Sequence, residues 1–212
     1  MVHPIENLRV VSLQDVAVPR KKVIRRLGYP TDMDKINGEI SRILEEEGQK
    51  ALALLEPRGI YRLLKIASRN EDLITFRDTS FTIMSGRVSQ MLSVSDPVVL
   101  FMVTIGPALE EEVKLLFERD EMTKAVILDT IGSETADAAA DRMHRVVIKQ
   151  LARAEGYRVT PRFSPGYGDW PVTVQGEFLN ASHGDRIGIS VNESSLMIPR
   201  KSVSAVLGWV RS

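Results

Sequence analysis

The stretch Arg162-Phe163-Ser164-Pro165-Gly166-Tyr167-Gly168-Asp169-Trp170-Pro171 gathers a guanidinium, aromatic rings, two prolines and two glycines within ten residues. Proline removes backbone donors and fixes φ, whereas glycine reaches backbone shapes closed to other residues, so no helix runs through this segment. It reads as a rigid, irregular cradle with peptide groups exposed at Gly166 and Gly168. The arginine at its head can grip a carboxylate or a phosphate with a two-pronged fork. The competing reading is a purely structural loop, in which Arg162 joins an internal salt bridge and Tyr167 and Trp170 pack into the core.

A second group of chemically capable residues precedes it. Asp137, Asp141 and His144 stand at i, i+4 and i+7 and share one face of a predicted helix. They form either a solvated stripe or, through Asp137, part of a site. The small side chains of Gly132 to Ala140 on the same helix let another backbone or a ligand approach closely.

Composition removes several chemistries. The chain has 212 residues, no cysteine and three histidines, so disulfides, thiolate nucleophiles, iron–sulfur clusters and cysteine-based zinc sites are excluded. The histidines His3, His144 and His183 lie far apart in sequence, which argues against a histidine metal cluster. Lysine plus arginine and aspartate plus glutamate number 28 each, a balance unlike that of a general nucleic-acid or membrane-surface binder. The clusters Arg20-Lys21-Lys22 and Arg25-Arg26 read as the solvated side of a short helix. The apolar run from Val98 is too short for a membrane span, and Met1 to Glu6 lacks the order of a signal peptide, so a cytoplasmic location is expected. Gly166-Tyr167-Gly168 fails as a dinucleotide fingerprint because Pro171 stands where the third glycine belongs. There is no P-loop and no nucleophile elbow, and Ser182-His183-Gly184-Asp185 reads as a turn.

The elements that must position these residues follow from pattern. Leu8 to Leu13 predicts a strand, and Pro19 opens a helix ending near Gly28-Tyr29-Pro30. Thr31 is the expected N-cap, with Asp34, of an amphipathic helix whose stripe runs from Met33 to Leu55. Ile60 to Ile66, Leu73 to Phe76 and Phe81 to Met84 predict strands, and Val98 to Ile105 a strand buried on both faces. Pro107 is the expected first residue of a helix rich in glutamate. A helical region spans about Met122 to Glu155, closed by Gly156. A helix over Val172 to Leu179 and strands over Arg186 to Val191 and Ser202 to Val210 complete one α+β domain, without the strand–helix alternation of a doubly wound sheet.

Two of these segments carry a resemblance. Arg162 to Pro171 resembles the Arg-x-x-Pro-Gly-Tyr signature of the activation (reactivation) domain of cobalamin-dependent methionine synthase. Asn192-Glu193-Ser194, Met197, Pro199 and Ser202-Val203-Ser204 resemble that family's Thr-Glu-Ser…Met-x-Pro…Ser-Val-Ser stretch. Weaker similarity at Tyr29-Pro30, Pro57-Arg58-Gly59 and Val103-Thr104 extends it over nearly the whole chain. The resemblance implies a helmet-shaped α+β domain, residues 1–212, with a twisted antiparallel sheet flanked by helices. It divides into a helix-rich part at about 1–95 and a ligand-binding part at about 96–212.

It also implies a function. Such domains bind S-adenosylmethionine and present its methyl group to the cobalt of cobalamin on a neighbouring module, after a one-electron donor such as flavodoxin reduces inactive cob(II)alamin. The residues it marks for S-adenosylmethionine are Arg162, for the methionyl carboxylate, with Ser164, Gly166 and Tyr167 on the loop. Asp137 stands where the family has a glutamate, one methylene longer, able to pair with the methionyl ammonium. Asp15 matches a pocket aspartate by its spacing from Pro30. Pro165, Gly168, Glu193 and Ser194 are implied to line the pocket or face the corrinoid. No residue is implied to be catalytic and none to bind metal.

The chain also departs from the long multidomain enzymes. They continue with a further hairpin strand and helix carrying a pocket tyrosine, and they contain a corrinoid-binding Asp-x-His-x-x-Gly motif and a zinc-holding cysteine cluster, none of which is present here. The expectation is a short, free-standing member that reactivates a separate corrinoid methyltransferase, most simply a short methionine synthase. The alternatives are a non-enzymatic cap on a corrinoid protein and a partner in another corrinoid pathway.

Overall fold

The computed structural model describes residues 7–32 and 36–211. Its centre is β6 (Val98–Thr104), a strand of seven apolar or β-favouring residues, all buried. Such a strand is stable only with cover on both faces. On one side it pairs antiparallel with β2 (Arg58–Leu64), which in turn pairs with β1 (Leu8–Ser12). On the other it pairs antiparallel with β10 (Ser202–Arg211), from Ser202 opposite Thr104 to Gly208 opposite Val98. The short β7 (Tyr157–Val159) completes the sheet in the order β1-β2-β6-β10-β7, touching β10 at Trp209 to Arg211 only.

Successive side chains of a strand point to opposite faces, and the sheet sorts them into two cores. Tyr61, Leu63, Phe101, Val103, Ala205 and Leu207 face the first core. Its other walls are α1 (Arg20–Arg26), α2 (Gly38–Leu54), α4 (Ala108–Glu118), α5 (Met122–Arg142) and α6 (Lys149–Ala154). Ile60, Leu64, Leu100, Met102 and Val206 face the second core. There they meet α3 (Gly86–Met91), α7 (Gln175–Ser182) and a three-stranded sheet of β3 (Ile66–Arg69), β4 (Leu73–Phe76) and β5 (Thr82–Met84). Rings run through this second core as a chain: Phe163 to Trp170 at 6.5 Å, Trp170 to Phe178 at 6.0 Å, Phe178 to Phe81 at 5.8 Å and Phe81 to Phe76 at 6.2 Å. The two-stranded hairpin of β8 (Ser190–Val191) and β9 (Met197–Ile198) forms a sheet of its own, with Met197 packed against the second core. The α+β class and the antiparallel sheet flanked by helices are therefore as expected.

Several local expectations are corrected. The amphipathic helix begins at Gly38, with Asn37 as its cap accepting the Glu39 N–H at 2.8 Å, so Thr31 does not cap it. Met33 and Asp34 lie outside the described residues. Pro107 is the residue before α4 rather than its first. The helix through Met122 to Ala154 is continuous but widens into a π-helical stretch over Met143–Ile148 between α5 and α6. The segment from Val172 starts as a 3₁₀ turn before α7. Arg186 is not in a strand: Gly184–Ile187 is a 3₁₀ turn flanked by His183 at φ 57° and Gly188 at φ 80°, and two left-handed residues turn the chain too sharply to extend.

The small residues of α5 serve helix packing. A Cβ on Gly132 would come within 2.6 Å of Leu109 Cδ2, so the glycine lets α4 close on α5. The basic clusters of α1 are spent on acids as well as on solvent. Arg20 pairs with Glu45 at 2.6 Å, and Arg26 Nη1 donates to Glu134 Oε1 at 2.9 Å, which ties α1 to α2 and α5. No described helix is long and apolar enough to cross a membrane.

Candidate functional site

The site grows from the outer edge of β10. After β7, Thr160 donates its N–H to Gly208 O at 3.0 Å, and its Oγ1 accepts the Gly208 N–H at 2.9 Å. Phe163 and Val206 then exchange both backbone hydrogen bonds, at 2.9 and 2.8 Å. Beyond Phe163 the chain leaves the strand. Among the described residues, no strand therefore lies beside Ser202, Val203 and Ser204 on that edge, and a cleft of about 630 Å³ opens along them.

The loop from Ser164 to Trp170 holds its shape by its own backbone. Gly166 N–H donates to Trp170 O at 2.8 Å, and Trp170 N–H to Tyr167 O at 3.1 Å. Trp170, 1% exposed, plugs the loop into the second core. The far end is clipped to α3. Asp169 Oδ1 accepts from Ser85 Oγ at 2.6 Å and Oδ2 from Arg87 N–H at 3.2 Å, and these bonds, the Ser85 hydroxyl foremost, hold its carboxyl below the ordinary range. Gly168 belongs to this clip: at φ 59° it leaves room for Arg87 Cδ, which a Cβ would meet at 3.0 Å.

Of the sequence-marked residues, Arg162, Ser164, Pro165, Tyr167 and Asp137 line the cleft together. Tyr167 is 69% exposed at its mouth. Gly166 and Gly168 do not line it, and the expected free peptide at Gly166 is spent on Trp170 O. Glu193 and Ser194 do not line it either. They lie on the exposed turn between β8 and β9, where Asn192 Oδ1 accepts the N–H groups of Ser194 and Leu196 at 3.0 and 2.9 Å. That turn offers Ser195, Leu196 and Met197 to the cleft instead. Asp15 also stands outside the lining, its carboxylate paired with Arg142. Gln175, Val172 and Arg200 line the cleft without having been marked from sequence.

The charges come from α5 and the loop. Arg162 Nη1 lies 3.1 Å from Asp141 Oδ1, an ion pair whose alignment falls short of a hydrogen bond. Lys22 approaches Asp141 from α1 at 3.8 Å. His144, on the same face as Asp137 and Asp141, donates Nε2–H to Thr160 O at 3.1 Å. Both readings of the cradle thus meet: Arg162 has an internal acid and Trp170 is core, but Tyr167 faces out and an open cleft remains.

Burial, aided by the nearby Arg162 and Arg145 charges, pushes the His144 imidazole below its ordinary 6.5, while the bond to Thr160 opposes the shift. In the unfolded chain this histidine takes up its proton first as pH falls. Its neutral form therefore favours the fold fully above about pH 6.5, and the advantage is lost on acidification below that value. Melting temperatures between pH 7.5 and 5.5 are expected to fall more steeply for the wild type than for His144→Gln; parallel curves would show that this histidine does not couple to folding.

The protein is an α+β domain with an open cleft along the edge of β10, lined by the Arg162 and Arg200 guanidinium groups and the Asp137 carboxylate. The family model of the vitamin B12-dependent methionine synthase activation domain matches residues 88–210, more than half of the chain, and the chain belongs to this family. Among solved structures it is similar to the crystal structure of the MetH reactivation domain bound to AdoHcy, with TM-score 0.72 and 16% identity, over 95% of this chain and 78% of that one. At that identity the likeness speaks for the fold. Comparison with curated proteins finds no match.

Proposed function

We propose that this chain binds S-adenosylmethionine in the β10 cleft and supports the reductive methylation of cob(II)alamin held by a separate corrinoid methyltransferase, most simply a short methionine synthase, with a flavodoxin-type protein as the electron donor. The observation that carries this reading is the convergence of Arg162 and Asp137 on one cleft. An α-amino acid is a zwitterion: the guanidinium fork suits its carboxylate, and the aspartate its ammonium. Membership of the activation-domain family and the AdoHcy held by the structural neighbour support the same ligand.

When bound on its own protein, the corrinoid supplies the nucleophile. This chain's residues bind and align. Arg162 and Asp137 fix the methionyl end, Ser164 and Pro165 form the loop wall, and Tyr167 stands at the mouth. No acid or base need act on a sulfonium methyl, so the contribution is proximity and orientation. The exposed Tyr167, Val172 and Leu196 of the cleft lining form the face offered to the corrinoid protein.

The test combines binding with transfer. Calorimetric titration with S-adenosylhomocysteine is expected to show one site per chain. Incubation of the protein, S-adenosylmethionine labelled in the methyl group, a low-potential electron donor and a cob(II)alamin-loaded methionine synthase core is expected to place label on the corrinoid. Absence of binding, alone and with the core present, would overturn the proposal. Binding without label would reduce the chain to a non-enzymatic cap.

A further inference from the structure

Three charged side chains line the cleft, Asp137, Arg162 and Arg200, and one of them is already matched. Arg162 pairs with Asp141 at 3.1 Å. Among the described residues neither Asp137 nor Arg200 has an ion pair or a side-chain hydrogen bond. Arg26 feels the Asp137 charge, but its guanidinium bonds Glu134 at 2.9 Å. The pattern comes from α5, where Asp129, Ser133, Asp137 and Asp141 recur at i, i+4 and lie along one side of the helix. Lys201 Nζ bonds Asp129 and Ser133, each at 2.7 Å, and Arg162 takes Asp141. Asp137 is the rung left between them, about 6 Å along the axis from Ser133 and from Asp141. Lys201 also fixes the mount of Arg200. Its N–H donates to Glu110 Oε1, and Ser202 Oγ donates to Pro199 O at 2.7 Å, so the backbone on both sides of Arg200 is held while the residue stays exposed. Arg200 also borders a neighbouring depression that holds Glu110, Glu118 and Asp129. Those acids have other partners: the Lys201 N–H for Glu110, Lys114 at 3.7 Å for Glu118 and Lys201 Nζ for Asp129.

We propose that Arg200 is a second carboxylate-gripping residue: the ligand ammonium sits on Asp137, and the ligand carboxylate is held between Arg200 and Arg162. An unpaired guanidinium and an unpaired carboxylate opening on one cleft form the charge pattern that an α-amino acid zwitterion completes. Arg162 shares its fork with Asp141, so it meets the carboxylate with part of its donors, whereas Arg200 brings all of its own. The two oxygens of a carboxylate offer about four lone-pair sites, enough for two guanidinium groups. Arg162 enters from the Asp141 side of Asp137, and Arg200 from the Ser133 side, where its neighbour Lys201 is bonded. This inference rests on the proposed S-adenosylmethionine reading and adds a specificity residue to it. A cleft with two guanidinium groups selects adenosyl thioethers that carry the whole amino acid over decarboxylated ones.

The test compares two probes, S-adenosylhomocysteine and its decarboxylated analogue, which keeps the ammonium and has hydrogen in place of the carboxylate. Wild-type protein is expected to prefer S-adenosylhomocysteine by about 100-fold or more. Arg200→Ala is expected to bind S-adenosylhomocysteine about tenfold more weakly and the analogue no more weakly than the wild type does, so that the preference narrows about tenfold. Arg200→Lys keeps the charge and loses the fork, and should recover part of the preference. Because both probes are read on the same folded protein, a change in stability does not mimic a change in their ratio. An unchanged ratio in Arg200→Ala, including equal weakening of both probes, overturns this inference and leaves the S-adenosylmethionine reading standing. A wild type that binds both probes equally overturns it as well. A wild type that binds neither probe overturns both readings.

Discussion

Replacing Trp170 with alanine is expected to cost about 3–5 kcal/mol of folding stability, the range for emptying a large aromatic from a packed core. Trp170 is 1% exposed and lies between Phe163 of the cleft wall and Phe178 of α7. Its backbone also closes the loop, accepting from Gly166 and donating to Tyr167. Losing the indole therefore unseats the segment that carries Ser164, Pro165 and Tyr167, and ligand binding should weaken along with stability. Trp170→Phe is the control. It keeps a ring against Phe178 and removes an indole N–H that is buried without a partner, so its cost should stay under about 1.5 kcal/mol. Urea denaturation of the three proteins decides it; equal midpoints for Trp170→Ala and wild type would mean that the plug contributes nothing.

The second large effect is on binding. Arg162→Ala is expected to weaken S-adenosylhomocysteine binding about 100-fold, on the order of 3 kcal/mol, because it removes one side of a charge-assisted pair and leaves the ligand carboxylate facing Asp141 unshielded. Arg162→Lys keeps the charge but not the fork, and should fall between the two. Folding should change little, since the ion pair with Asp141 is partly exposed and such pairs contribute about 1 kcal/mol or less. Titration calorimetry with parallel melting curves separates the two effects. Wild-type affinity in Arg162→Ala would remove the guanidinium from the site.

What could be read from the chain alone follows from how local each signal was. β6 announced itself by apolar residues at every position, and α2 by its stripe, because both patterns come from burial along one continuous segment. The six-residue α3 and three-residue β7 are too short to show a period, and they exist because Asp169 and β10 hold them. Arg186 to Val191 has the composition of a strand, but His183 and Gly188 turn it. In the site, Arg162, Ser164, Pro165 and Tyr167 were legible because they share one loop, and Asp137 because it faces that loop from α5. Asp15 was marked by spacing, and the fold gives it to Arg142. Gln175 was silent, since its meaning depends on Ser204, 29 residues away, across the floor of the cleft.

β10 is at once the strand that completes both cores and the rim along which the cleft opens. A ligand seated there leans on a strand that both cores bury, not on a peripheral flap. Occupancy and global folding are then a single linked equilibrium: above saturation, each tenfold rise in free ligand adds about 1.4 kcal/mol to the stability of the whole domain. The cell's supply of ligand would set how long the protein survives as well as how often it acts.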